Sequence, residues 1–165
     1  KTQNLPQIFD AGDKFNILRS DKIGDEFAVQ YIFKTSGKEY QRINEIKNTN
    51  GKLIVPLNFP DPYDVEDAYD ALLVSLEDMK HWELAPANPA WLNKNGIVFA
   101  LTASDLKDKK SFWPNLRKAI KYGLPEAEAL KALTIIPAQM IHADKLTGTL
   151  EKGKLANFLI TSGGI

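Results

Sequence analysis

Short apolar runs alternate along this chain with longer stretches whose apolar residues recur every three or four positions. That alternation predicts βα units feeding a parallel sheet. The first run is "PQIFDA" (6–11), followed by a helical pattern over 13–24 in which Phe15, Ile17, Leu18 and Ile23 share a face and Gly24 suits the stop. The second is "FAVQYIF" (27–33); Tyr40, Ile43 and Ile46 then mark a helix within 38–51, closed by the turn Asn50-Gly51. The third is "KLIVPL" (52–57), and the proline-rich loop after it (58–64) is too punctuated for a simple connector. Asp64 reads as the N-cap of a helix that runs through 67–82, with Glu66 and Asp67 in its first turn. A short helix over 88–96 leads into the fourth run, "GIVFALTAS" (96–104). Helices are then expected over 110–123, 125–135 and 137–143, with prolines at first-turn positions, and 148–160 reads as two glycine-bounded turns and a terminal strand. There is no internal repeat and no low-complexity segment.

Composition narrows the chemistry. The chain has 165 residues, enough for one domain with a real core, and 44% of them are hydrophobic. No uninterrupted apolar run approaches the roughly 20 residues of a spanning helix, and the start of the chain lacks a signal peptide's apolar segment, so no membrane partner is expected and localisation stays open. Twenty-one basic residues balance twenty-one acidic ones, which leaves no global field to attract nucleic acid. With no cysteine, disulfides and thiolate metal sites are excluded, and histidine and carboxylate are the strong metal ligands left. Only two histidines are present.

The closing stretch carries the most specific signal. Gly123-Leu124, Glu128-Ala129-Leu130, Thr134, Pro137-Ala138, Gly148, Gly153-Lys154, Ala156 and the run Phe158, Leu159, Ile160 stand where the amidohydrolase superfamily has a helix ending "EAL..T..PA" and then an "iG.l..Gk.Adl" turn. Here the chain resembles that superfamily, in particular its imidazolonepropionase-like branch, with Asn157 in place of the usual aspartate. The resemblance implies an α/β fold: a partial (β/α)8 TIM-type barrel of about four parallel βα units, the family's strands five to eight, plus extra C-terminal helices and a terminal β segment. It divides the chain into 1–142, the C-terminal half of the barrel, and 143–165, the start of a small β-sandwich.

The same resemblance implies chemistry. Amidohydrolases use one or two divalent metals, zinc or similar, to turn water into hydroxide, and a carboxylate after strand eight relays its proton to the leaving nitrogen. Ligands sit at the C-terminal ends of the strands. The His-x-His pair of strand one is expected before Lys1. The histidine slot of strand five holds Asp10, which could bind a metal through oxygen. That of strand six holds Lys34, whose positive charge opposes a cation unless it is carbamylated or deprotonated. The strand-eight aspartate maps onto Ala103 or, with a small shift, onto Asp105, the candidate catalytic carboxylate; as a plain structural residue Asp105 is an N-cap or loop acid beside Lys107. His81 and His142 lie away from expected strand ends and read as packing or surface residues.

Other patterns carry less. "KTSGK" (34–38) lacks the leading glycine of a phosphate loop, since Ile32 stands there inside a strand. The acids of 61–70 lack the central glycine of a calcium loop and suit a solvated helix start. Trp82, Trp91, Trp113, Tyr63 and Tyr69 suit packing, with "WELAPANPAWL" (82–92) a possible pocket rim.

The expected function is therefore part of a metal-dependent hydrolase of amide or cyclic amide C–N bonds, with metal-ligand histidines replaced or missing here and this segment inactive alone. The alternative is a non-catalytic degenerate barrel serving as scaffold or interaction module in a larger protein; an independent α/β binding domain, predicted monomeric, is the third reading. A half-barrel would take the missing N-terminal half as its partner and would self-associate through the exposed edges of its first and last strands.

Overall fold

The computed structural model describes residues 5–165. Strands β1 (Gln7–Asp10), β2 (Tyr31–Lys34), β3 (Lys52–Pro56) and β4 (Phe99–Thr102) form one sheet in that order, each parallel to its neighbour. Parallel pairing forces the chain to cross back over the sheet between strands. Helices α1 (Lys14–Glu26) and α2 (Ile43–Asn48) make the first two crossings. The third carries α3 (Ala68–Leu73), α4 (Leu76–Leu84) and α5 (Asn88–Lys94). After β4 come α6 (Phe112–Lys121), α7 (Glu126–Leu133) and α8 (Ile135–Met140).

Side-chain alternation sorts the sheet into two faces. Phe33, Leu53 and Phe99 share one row of the ladder, and with Val55 and Leu101 they meet Ile17 of α1, Ile46 of α2, Leu92 of α5, Leu116 of α6 and Ala129 of α7. Full burial of each large aliphatic or aromatic side chain contributes about 1.5–3 kcal/mol, so this face is the main core. The other face carries Asp10, Lys34, Ile54 and Ala100 in one row. Its apolar part is small: Ile32, Ala100 and Met140, with Ile54 and Ile136 partly buried against them. A sheet with its principal helical layer on one side is the arrangement of a barrel wall, whose inner face is meant for other strands.

Local chemistry explains most boundaries. Asp13 caps α1, its Oδ1 accepting the N–H groups of Phe15 and Asn16 at 2.7 and 2.9 Å. The helix passes Gly24 and stops at Phe27; Gly24 is small because a Cβ there would come within 2.5 Å of the Val29 carbonyl oxygen. The helix expected over 67–82 is two helices. Val74 is extended, Ser75 caps α4 by accepting the Asp78 N–H at 3.1 Å, and α3 is capped by Asp67 rather than Asp64. The segment expected to open the second helix is a 3-10 turn over Glu39–Arg42. Beyond α8 the backbone turns back so that the Leu155 N–H reaches the Leu146 carbonyl at 2.8 Å. The terminal strand expected within 148–160 forms no ladder: Phe158, Leu159 and Ile160 are exposed and no strand among the described residues lies beside them to pair with.

Candidate functional site at the strand ends

β1 ends at Asp10 and β2 at Lys34, and the two are partners in the parallel register. They share a row with Ile54 and Ala100, so both belong to the inner face, at its C-terminal rim. After β4 the chain turns, and Asp105 takes a left-handed backbone, φ +65, a conformation that aspartate tolerates better than most residues.

These three residues meet. Lys34 Nζ donates to Asp10 Oδ2 at 3.0 Å and lies 3.3 Å from Asp105 Oδ2 and 3.4 Å from Asp105 Oδ1. The Lys34 side chain is 26% exposed, less than its partners at 63% and 45%. Its hydrogen bond to Asp10, and next that to Asp105, raise the ammonium's pKa above the ordinary lysine value, so the cation is held charged rather than released as an amine. A single exposed ion pair is worth about 0–1 kcal/mol. One cation shared by carboxylates from two other segments also fixes where three loops sit relative to one another.

Two hydroxyls lie on the same loops. Ser36, two residues past Lys34, and Ser104, next to Asp105, each bury an Oγ with no partner among the described residues. Such groups both donate and accept, and they suit a water or a polar ligand.

Behind Lys34 the loop is pinned by groups that the hydrophobic pattern does not single out. Gly37 has φ +87 and donates its N–H to Glu39 Oε1 at 2.9 Å. Glu39 is buried, and its Oε2 accepts from Asn88 Nδ2 at 2.6 Å; Asn88 Oδ1 accepts the Tyr40 N–H at 2.9 Å. This ties the strand-end loop to the start of α5. The sequence offers one clue, a glycine two residues before an acid just past a strand end, but nothing in it links position 39 to position 88.

The histidines stand apart from this cluster. His81 Nδ1 and the Tyr40 hydroxyl are 3.0 Å apart with the rings stacked, and burial lowers the imidazole pKa below its usual value. His142 lines an open cleft with Leu5, Ile32 and Met140, near the N-terminal ends of the strands and away from Lys34. Trp91 packs against Tyr40, and Trp113 edge-on against Phe112.

Tested as metal ligands, these residues do not fit. Among the described residues no three His, Asp or Glu side chains converge on a point. Asp10 and Asp105 converge on an ammonium, and a protonated lysine has no lone pair to offer a metal.

Comparison with known proteins completes the picture. Residues 52–163 match the model of the amidohydrolase family. Among solved structures, an amidohydrolase from Thermotoga maritima MSB8 superposes with a TM-score of 0.64 at 22% identity, over 92% of this chain and 36% of that one. A Xaa-Pro dipeptidase with bound methionine in its active site gives 0.53 at 9% identity, over 86% of this chain and 41% of the other. Likeness at such identities speaks to the fold, and the chain spans 36% and 41% of the length of these structures. No curated protein sequence matches it.

Proposed function

Because the chain belongs to the amidohydrolase family, we propose that it supplies the strand-five-to-eight half of a barrel of the imidazolonepropionase-like branch, and that this half keeps the outline of a hydrolytic site without a working metal centre. The supporting observation is the Lys34 bridge. The side chains that the resemblance assigns to two ligand slots, Asp10 and Lys34, and the candidate relay Asp105 engage one another, with both oxygens of Asp105 within 3.4 Å of Lys34 Nζ. In this reading the segment is architecture within a larger hydrolase-like protein, 1–142 as barrel wall and 143–165 as the start of a small β-sandwich. Its partner is the first half of the barrel, and alone it self-associates through the edges of β1 and β4.

A second reading has its own support. Asp10 and Asp105 face the same spot on the rim. With a His-x-His pair from the other half, Asp10 would serve as an oxygen ligand and Asp105 as the proton relay for hydrolysis of an amide or cyclic amide C–N bond.

Turnover separates the two. A protein with both barrel halves present, incubated with zinc or manganese and a panel of amides, cyclic amides and dipeptides, is expected to release no product above the metal-only control. Metal-dependent release that disappears in Asp105→Asn would overturn the first reading in favour of the second.

A further inference from the structure

The disagreement between the family's metal and the residues at the rim carries an inference of its own, resting on the reading above. We infer that Lys34 is the resident cation of this site: its ammonium occupies the place between Asp10 and Asp105 that a divalent ion would take, so a metal enters only where the lysine is removed.

Three features of the geometry support this. The three residues come from separate elements, 24 and 71 positions apart in sequence, so the fold and not local chain chemistry brings them together. Both carboxylates lie within 3.0–3.3 Å of a single point, Lys34 Nζ. A metal at that point needs oxygens at about 2.0–2.6 Å, a closure of about one ångström that two partly exposed carboxylates can make. Finally, the lysine side chain is the least exposed of the three at 26%, unlike that of Lys107, which also meets an aspartate but is 91% exposed.

Without the ammonium, two partly exposed like charges would face one another with only water between them. A cation from solution is then the natural replacement. An ordinary surface salt bridge makes no such prediction, because its loss is absorbed by water.

Thermal melting with added zinc, manganese or calcium tests this. In Lys34→Ala the ions are expected to raise the melting midpoint, with about one zinc taken up per chain by equilibrium dialysis. Wild type and the triple variant Lys34→Ala/Asp10→Asn/Asp105→Asn are expected to show neither change. A Lys34→Ala chain that ignores all three ions overturns the inference. So does wild type that binds one zinc and loses it in Asp105→Asn, a measurement that does not depend on the lysine variant folding. Either failure leaves the hydrolysis test untouched, since turnover is read separately from uptake.

Discussion

Gly148 has no room for a side chain. Its φ is +97, and a Cβ would come within 3.0 Å of Ala138 Cβ, 3.1 Å of Ile135 Cα and 3.2 Å of the Thr134 carbonyl oxygen. Gly153 has a similar φ of +95 but meets nothing within 4 Å. Gly148→Ala should therefore lose about 2–3 kcal/mol of stability, strain plus overpacking, and Gly153→Ala about 1 kcal/mol, strain alone. Urea melts of the two variants side by side check the difference. The two glycines look alike in the sequence motif, and only packing separates them. The rim residues show the same limit. The family resemblance names the slots of Asp10 and Lys34, and the parallel register puts them on one face. That the Lys34 head also reaches Asp105 depends on how the chain turns after β4, and no periodicity records that. The link from Glu39 to Asn88 spans 49 positions and is equally silent in the sequence.

Among elements, the four strands were legible because each is a compact apolar run bounded by turn residues, and their order in the sheet was what the family resemblance implied. Helix interiors were less so. The acidic run after β3 has a helical rhythm throughout, which hides the break at Val74; the clue is "SLED", in which Ser75 and Asp78 bond reciprocally, Ser75 Oγ also donating to Asp78 Oδ2 at 2.7 Å. The consequence is a weakly held segment. α3 buries none of its residues, and Tyr69, Leu72 and Leu73 are each at least 80% exposed. Helices without tertiary burial are marginal at this length. Brief chymotrypsin digestion should cut at Tyr69, Leu72 or Leu73 well before any cut in α6, where Leu116 is fully buried, with mass spectrometry locating the nick. A first cut within α6 would contradict this account of local stability.

For the whole molecule, the open sheet sets the expected solution behaviour. Among the described residues β1 and β4 each pair with one neighbour, and Ile8, Phe9 and Val98 on or beside these edge strands are exposed. Unpaired edges with apolar neighbours invite more strands. Sedimentation velocity over a concentration series should show a sedimentation coefficient that rises with loading. A constant monomer value would mean that the edges are protected some other way. The terminal segment was the least legible part at this scale, since extended chain becomes a strand only beside another, and sequence cannot say whether one is there.

Strand order along the sheet repeats strand order along the chain, and every ladder joins consecutive strands. No strand has to wait for a distant one before it can pair. Loop-closure entropy, which slows folds built from remote contacts, is therefore met in modest instalments, one crossover at a time.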